Sequence, residues 1–357
     1  MKRILLSIII IASMCALVTT SCSHAQPKVI DVCPEPQSNA IPKHSAAPAI
    51  APYVLPSPKQ DALSVKNGVY TFAWLSDTQH YSEEYPRVFY VMTDFLARNR
   101  ERLDLRYALH TGDLIHNFGS EGEWQTASAA MDNLKGIPYG VLAGNHDSNF
   151  SNANYSNFCR YFGKSRFEDF SYYGGSFEDN RCHYDLIDAG ETNYIFVFIG
   201  YPPTPAAYEW VNQALRAYPD RVGILCTHDY FKTSMELSDN GQAIFDRVIS
   251  ENPNVYMLLC GHRYNIGHTV SHFDDDGNGT AERSVYQIMG NYQAAQTQGG
   301  GGYMRFIQID EASAQMRILS YSPLLNDYVY YDTPEHQTEK YAADPDDETI
   351  VLPLPWH

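Results

Sequence analysis

The chain has 357 residues, which at about 150 residues per domain corresponds to two domains or to one large α/β domain with extensions. Its 44% hydrophobic and 19% charged residues are close to the globular average, which excludes a wholly disordered, collagen-like or coiled-coil chain. The formal net charge of −17 opposes binding to a nucleic-acid backbone, and we find no basic patch, so nucleic acid is not an expected partner.

Residues 1–21 have the pattern of a signal peptide of the bacterial type. Lys2 and Arg3 precede an apolar run that ends at Val18, and this run is short for a membrane-spanning helix of about 20 residues. The Thr-Ser-Cys end resembles a lipoprotein signal in which Cys22 would be lipidated, while Ser23-His24-Ala25 offers ordinary cleavage as the alternative. We therefore expect an exported cell-envelope lipoprotein, periplasmic or surface-facing and attached to the membrane through Cys22, or else a soluble secreted protein.

Three further segments follow the signal. Residues 22–66 are rich in Pro and Ala and predict an extended tether, residues 67–332 predict a folded domain, and residues 333–357 predict an acidic peripheral tail.

Cys159 and Cys182 lie in a polar stretch and could form a disulfide in an oxidising compartment. Cys226 and Cys260 end apolar runs, so we expect them to be buried thiols.

Within the folded domain, apolar runs alternate with amphipathic stretches. The first series predicts strand 69–75, helix 86–102, strand 105–109, helix 122–134 and strand 139–143. A second series predicts strands 194–199, 222–226 and 255–260, with helices 206–217 and 241–251 between them. Period-two alternation then predicts antiparallel strands at 284–289, 303–309 and 315–321. This order is typical of the α/β class.

Polar side chains that can bind metals follow five of these strands at the point where each strand ends. The clusters are Ser76-Asp77-Thr78-Gln79, Gly112-Asp113, Gly144-Asn145-His146-Asp147, Thr227-His228-Asp229 and Gly261-His262-Arg263-Tyr264. Because the carboxyl ends of strands in an α/β sheet share one edge, we expect these side chains to converge. A single Asp or His at such a position is ordinarily a cap or a satisfied polar group, but the five clusters together indicate a metal site.

In their order along the chain, these clusters resemble the signature of the calcineurin-like metallophosphoesterases, which runs DxH, GDxxD, GNH[D/E], a lone His and GHxH. This chain has DTQ, GDLIH, GNHD, THD and GHRY, and the resemblance covers residues 68–325. It is similar in style to the secreted bacterial branch that opens with SDTQ. The resemblance implies a four-layer αββα sandwich of two mixed sheets, with the metal site at the strand ends along one edge.

The resemblance also implies a binuclear centre of Mn, Zn or Fe in which Asp113 bridges the two ions. The second metal would be held by Asp113, Asn145, His228 and His262, a donor set of carboxylate, amide and imidazole. The first metal would have Asp77 and Asp113. Gln79 and Tyr264 stand where the family has its remaining histidines. In purple acid phosphatase relatives a ligating Tyr ends the GDxxY motif, and His116 occupies that position here, either as a first-metal ligand or as an ordinary loop residue.

The activity implied by the resemblance is hydrolysis of a phosphate mono- or diester, in a phosphorylated small molecule or a surface component. Two cations would clamp the phosphoryl group and lower the pKa of a bridging water, and the resulting hydroxide would attack phosphorus. His146 would be the general acid or orient the phosphate, with Asp147 as polar support. In many relatives the last Asp of GDxxD orients this histidine, so its orientation here must come from another group. Arg263 is a candidate phosphate contact or a solvent-facing residue.

Other functions stay open at this point. Because Gln79, His116 and Tyr264 occupy positions where a standard site has stronger ligands, the chain could be a non-catalytic or single-metal protein that binds a phospho-ligand. A phospholipid or sugar-linked diester is a further candidate substrate.

Residues 274–279 space their oxygens as a calcium loop does, but Val285 stands at the twelfth position in place of Glu, so we predict a hairpin turn. The sequence does not predict the oligomeric state.

Overall fold

The computed structural model describes residues 63–134, 136–293, 297–330 and 349–357. The signal peptide predicted at 1–21, nearly all of the tether predicted at 22–66, and residues 333–348 of the predicted tail lie outside these residues. Strands are β1 (Val69–Leu75), β2 (Leu105–His110), β3 (Tyr139–Val141), β4 (Tyr173–Phe177), β5 (Cys182–Ala189), β6 (Thr192–Ile199), β7 (Val222–Thr227), β8 (Val255–Cys260), β9 (Ile266–Phe273), β10 (Arg283–Gly290), β11 (Met304–Asp310), β12 (Gln315–Tyr321) and β13 (Thr349–Pro353). Helices are α1 (Gln79–Glu83), α2 (Pro86–Asn99), α3 (Glu121–Asp132), α4 (Ser156–Phe162), α5 (Pro205–Ala217) and α6 (Asp239–Ile244).

The strands form two mixed sheets. The six-stranded sheet has the order β13-β12-β11-β1-β2-β3, in which β1, β2 and β3 are parallel and β11 is antiparallel to β1. The seven-stranded sheet has the order β4-β5-β6-β7-β8-β10-β9, with β6, β7, β8 and β10 parallel. The polar clusters singled out in the sequence follow the carboxyl ends of β1, β2, β3, β7 and β8.

Three buried apolar clusters define the layers. The middle cluster lies between the sheets and joins Phe72 and Tyr107 of the six-stranded sheet to Phe196 of the seven-stranded sheet. A second cluster packs α2 and α3 against the outer face of the six-stranded sheet, with Phe89 and Trp124 among its members. The third packs α5 against the outer face of the seven-stranded sheet. The α/β class and the four-layer αββα sandwich expected from the sequence are confirmed.

Strand β1 shows why the sequences of the central strands are mostly apolar. Tyr70, Phe72 and Trp74 belong to the cluster between the sheets, whereas Ala73 and Leu75 belong to the cluster under the helices. Successive side chains of a strand point to opposite faces, and here both faces are covered. A strand in such a position is therefore mostly apolar, and its one polar residue, Thr71, is buried and donates its hydroxyl to the Leu103 carbonyl at 2.6 Å.

Several elements differ from the prediction. Strands β4 and β5 were not predicted, and β9 was implied by the predicted hairpin turn but given no bounds. Strand β13 lies in the segment expected to be a peripheral tail, where it pairs antiparallel with β12. The helix expected at 241–251 is α6 followed by a π-helical turn over Phe245–Ile249. Among the described residues, no helix combines the length and apolar character needed to cross a membrane.

No disulfide joins any two of the described cysteines. Cys159 and Cys182 do not pair, and Cys182 is buried in β5, where the sequence predicted a polar loop. The Cys159 thiol donates to the Asp179 backbone carbonyl at 3.4 Å. Cys226 and Cys260 are fully buried, as expected from their positions at the ends of apolar runs.

Buried polar contacts join the two sheets. Tyr107 of β2 donates a hydrogen bond to the carboxyl group of Asp185 on β5. Burial raises the pKa of Asp185 well above its usual range, although the Tyr107 hydrogen bond opposes this. His183, whose Nε2 lies 3.8 Å from Asp185 Oδ2, is also fully buried, and burial lowers its pKa to about 3. The folded protein therefore favours the protonated, neutral form of Asp185.

We expect Asp185→Asn to make the protein less sensitive to rising pH. Since the pKa of Asp185 is higher in the folded chain than in the unfolded chain, its contribution to stability is full below about pH 3.9 and is lost as the pH rises towards the folded value. Asn still accepts from Tyr107 and cannot ionise. The free energy of unfolding of the Asp185→Asn protein should therefore rise, relative to that of the wild type, by up to about 1.4 kcal/mol per pH unit above pH 4.

Urea unfolding of both proteins between about pH 4 and pH 8 measures this difference. Asp220→Asn is a matched control, because Asp220 is exposed and its substitution should leave the pH dependence unchanged. Parallel stability curves for Asp185→Asn and the wild type would mean that Asp185 titrates alike in the folded and unfolded chains, contrary to this prediction.

Candidate metal centre

Side chains that follow four different strands meet in one group, which we call the Asp113 cluster: Asp113, Asn145, His228 and His262. His228 Nε2 lies 3.3 Å from Asp113 Oδ1 and 2.9 Å from Asn145 Oδ1. Ligand atoms of Asp113, His228 and His262 all lie within 4.8 Å of one another. His228 Nδ1 donates to the Thr111 carbonyl at 2.9 Å, so this backbone group orients the ring with Nε2 towards the cluster. The structure thus brings together the four residues predicted to hold the second metal.

Three candidate ligands have backbone conformations that residues other than glycine rarely adopt. The φ angle is 55° at Asp77, 56° at Asp113 and 71° at His262. Each such residue costs about 1–3 kcal/mol, and such strain concentrates at functional sites. Neighbouring glycines make room for these carboxylates. A Cβ atom at Gly144 would overlap the carboxylate of Asp113, and one at Gly261 would overlap that of Asp77.

Residues predicted for the first metal lie beside this cluster. Both carboxylate oxygens of Asp77 accept from the His262 backbone N–H at 3.1 Å. Gln79 Nε2 donates to Asp113 Oδ2 at 3.2 Å, and Gln79 Oε1 is buried without a hydrogen-bond partner among the described residues. A buried carbonyl oxygen without a donor, next to a carboxylate, is what a bound cation would satisfy. The donor types of Asp77, Gln79 and Asp113, two carboxylates and an amide oxygen, therefore suit a first metal ion.

The electrostatics of the site favour a positive charge at its centre. Burial, reinforced by Asp113, raises the pKa of Asp77 to about 7 even though His228 opposes the rise. Burial would also raise the pKa of Asp113, but the charge and hydrogen bond of His228 hold it at about 2. Conversely, burial would lower the pKa of His228, and Asp113 outweighs burial and raises it to about 10. The two carboxylates therefore stabilise a cation here, whether a proton or a metal ion.

His146 lies at the edge of the Asp113 cluster. Its backbone N–H donates to Asp113 Oδ1 at 3.0 Å, and its ring Nδ1 donates to the His116 carbonyl at 2.7 Å. Since a carbonyl can only accept, Nδ1 carries a proton and Nε2 is the nitrogen available to a substrate. The ring packs against Phe150 and His116, at centroid distances of 4.7 and 4.9 Å. A backbone carbonyl thus provides the orientation that an Asp side chain provides in many relatives.

Asp147 lies beneath the site loops and is fully buried. Its carboxylate accepts from the backbone N–H groups of Leu114, Ile115 and Gly144 at 2.8 to 3.1 Å. Burial and then the charge of Asp113 raise the pKa of Asp147 to about 7, although these hydrogen bonds oppose the rise. Asp147 therefore ties the loop after β2 to the loop after β3, which is a supporting position.

Glu123 is a supporting residue that the sequence analysis did not identify. Its Oε2 accepts from the backbone N–H groups of His116 and Asn117 at 2.7 and 2.8 Å. Glu123 lies in the first turn of α3, and the Ser120 hydroxyl caps that helix by accepting from the Glu123 N–H. The Ser-x-x-Glu pattern is the signal of a capping box. Here the glutamate holds the loop that orients His146.

His110 is a second supporting residue without a sequence signal, because it ends an apolar strand. Its Nδ1 accepts from the Gly112 N–H at 3.2 Å, so its Nε2 carries the proton and donates to the Thr78 hydroxyl at 2.9 Å. Burial lowers the pKa of His110 to about 3, and the ring is therefore neutral.

Tyr201 was also not predicted, and its ring stacks on that of His262 at a centroid distance of 6.3 Å.

The remaining predicted site residues lie at the rim. Tyr264 is 36% exposed and Arg263 is exposed beside it. His116 lies in a separate group with His80 and Glu83, whose ligand atoms are within 4.8 Å of one another. The proposed roles of Tyr264, Arg263 and His116 stay predictions.

The acidic segment after β9 forms the turn of the β9–β10 hairpin, which confirms the predicted hairpin. Asp274 and Asp276 each accept from the Asn278 backbone N–H at 3.0 Å. These carboxylates therefore act within the turn itself, as Asp side chains do in tight turns.

Comparisons with known proteins agree with these motifs. The sequence model of the calcineurin-like phosphoesterase family matches residues 70–264. The chain is 40% identical over 276 residues to the uncharacterized protein YvnB of Bacillus subtilis (strain 168). That match covers 77% of this chain and 21% of YvnB, so the chain spans only a small part of this relative's length.

Solved structures with a similar arrangement are more distant in sequence. Purple acid phosphatase PPD1 from yellow lupin (Lupinus luteus) seeds is 12% identical, with a TM-score of 0.49 over 74% of this chain and 53% of that chain. The 5′-nucleotidase from Candida albicans SC5314 is 11% identical, with a TM-score of 0.45 over 78% of this chain and 56% of that chain.

Proposed function

The chain belongs to the calcineurin-like phosphoesterase family, whose members are metal-dependent, and we propose that it hydrolyses a phosphate mono- or diester at a binuclear metal centre. The observation that carries the proposal is the convergence of carboxylate, amide and two imidazoles in the Asp113 cluster, beside a buried Gln79 oxygen that has no donor in the described part of the chain. The substrate we propose is a phosphorylated small molecule or a phosphorylated surface component.

In this proposal the two metal sites share Asp113. The second ion would be held by Asp113, Asn145, His228 and His262, and the first by Asp113, Asp77 and Gln79. Oxygen and imidazole donors of this kind suit Mn, Zn or Fe. When bound, two such cations supply charge that stabilises the phosphoryl oxygens and lower the pKa of a water molecule to make a nucleophile.

His146 would protonate the leaving oxygen. The His116 carbonyl accepts its Nδ1 proton at 2.7 Å and so fixes the ring with Nε2 free to carry a second proton. A positioned imidazolium of this kind can transfer that proton to the leaving alkoxide. Arg263, which is exposed next to His262, would contact a phosphate oxygen of the substrate.

Metal analysis combined with two model substrates tests this function. We expect the purified protein, reconstituted with Mn, Zn or Fe, to hold at least two metal ions per chain and to hydrolyse p-nitrophenyl phosphate, bis-p-nitrophenyl phosphate or both. Turnover of the two compounds distinguishes monoesterase from diesterase activity. One metal ion or none, with no turnover under any reconstitution, would contradict the proposal. Calorimetric binding of inorganic phosphate by such a protein would instead favour a phospho-ligand binding function.

A further inference from the structure

A second group of metal-competent side chains lies at the rim of the site, and we propose that it binds a divalent transition-metal ion, zinc above all. We call this group the rim triad: His80, Glu83 and His116. Their ligand atoms lie within 4.8 Å of one another. His80 Nδ1 is 3.3 Å from Glu83 Oε2, and His116 Nε2 is 3.8 Å from Glu83 Oε1. One carboxylate therefore faces both imidazoles, each with a different oxygen.

The fold holds the members of the rim triad in place. His80 and Glu83 are three residues apart on α1, so their side chains share one face of the helix. The backbone of His116 is held on both sides, because its N–H donates to Glu123 at 2.7 Å and its carbonyl accepts from His146 at 2.7 Å. The rings of His80 and His116 lie 5.3 Å apart, with an angle of 31° between their planes.

The donor set matches the chemistry of zinc. Two imidazoles and one carboxylate are a known ligand combination for zinc sites that keep an open position. Two ligands at about 2.1 Å from a tetrahedral ion lie about 3.4 Å apart. The distances of 3.3 Å from His80 Nδ1 to Glu83 Oε2 and 3.8 Å from His116 Nε2 to Glu83 Oε1 are close to this separation, so small side-chain movements would complete the site. Calcium and magnesium prefer sites made of oxygen atoms and fit this group less well.

Exposure leaves room for a fourth ligand. The side chains of His80, Glu83 and His116 are 34%, 32% and 38% exposed, so a bound ion would keep a position open to water or to a substrate oxygen. The protein's net charge of −17 also favours cation binding.

The rim triad is separate from the Asp113 cluster but adjacent to it. None of its three residues belongs to that cluster, while the His116 ring packs against the His146 ring at 4.9 Å. The family resemblance left His116 open as a first-metal ligand or an ordinary loop residue, and the structure places it with His80 and Glu83. The proposal therefore does not depend on whether the Asp113 cluster binds metal or catalyses hydrolysis.

Zinc binding to the full chain, measured by equilibrium dialysis with metal analysis, tests the proposal. We expect His80→Ala and Glu83→Gln each to bind one zinc ion fewer per chain than the wild type, or to bind that ion at least about 100-fold more weakly. His272→Ala is the matched control, since His272 is an exposed histidine on β9, and it should bind as the wild type does. Circular dichroism establishes that each variant is folded.

The same measurement in Asp113→Asn separates this proposal from the proposed function. The rim ion should remain in that variant and be lost when His80→Ala is added, whatever the Asp113 cluster does. If His80→Ala and Glu83→Gln bind as many zinc ions as the wild type, with the same affinity, the rim triad is only a surface ion pair and the proposal is overturned.

Discussion

Asp113→Asn should remove metal binding at the Asp113 cluster and lower kcat/KM by at least about 10³-fold, since bound metal ions supply several kcal/mol of transition-state stabilisation and each 1.36 kcal/mol is a factor of ten. Asp113 is the residue that would belong to both proposed metal sites. Its Oδ1 lies 3.3 Å from His228 Nε2, and its Oδ2 accepts from Gln79 at 3.2 Å. An amide in its place has no negative charge and can bring only one oxygen to the site.

Metal content by elemental analysis, together with turnover of p-nitrophenyl esters, measures this effect. The matched control is Asp220→Asn in the exposed turn after α5, which should retain wild-type metal content and wild-type turnover. Asn is nearly isosteric with Asp, so we expect Asp113→Asn to remain folded, and circular dichroism checks this. A folded Asp113→Asn protein with full activity would refute the bridging role.

Strands β1 and β8 could be predicted because burial on both faces favours long, mostly apolar runs, whereas β12 was predicted from period-two alternation. Strands β1, β8 and β12 have the predicted bounds. The hydrophobic pattern does not predict the strands at the sheet margins, because residues there have fewer neighbouring strands to pack against. Strand β4 contains two glycines, and the outer strand β9 alternates partly buried with exposed residues from Thr269 onwards. Strand β13 follows an acidic segment that favoured a tail, yet its residues pair with β12.

Convergence of the site could be predicted for a similar reason. The carboxyl ends of parallel strands bring Asp113, Asn145, His228 and His262 to one edge through topology alone. Side-chain direction could not be predicted, because it depends on the paths of the loops. Asp147 follows His146 directly, yet it points into the backbone of two loops. The rim triad likewise forms only because α1 begins at Gln79 and places the next histidine beside the loop after β2.

His146→Gln should lower kcat by about 10²- to 10⁴-fold for substrates with alkoxide leaving groups, the range expected when a general acid is lost. Its effect on p-nitrophenyl esters should be smaller, because nitrophenolate needs less help from protonation. Metal content should not change, since the contact between residue 146 and Asp113 Oδ1 is made by the backbone N–H and not by the side chain. This combination separates a proton donor from a metal ligand.

Rates with an alkyl phosphate and with a p-nitrophenyl ester, measured on the same preparations as metal content, test this assignment. His272→Gln, on the exposed strand β9, controls for the loss of a histidine elsewhere in the chain. An equal loss of kcat for both leaving groups would show that His146 orients the phosphate and does not donate a proton. Loss of metal would instead make His146 part of the metal-binding structure. His146 Nε2 is supported as the acid only if metal content stays constant and the loss of kcat grows with the basicity of the leaving group. This is because only protonation of the leaving oxygen depends on that basicity.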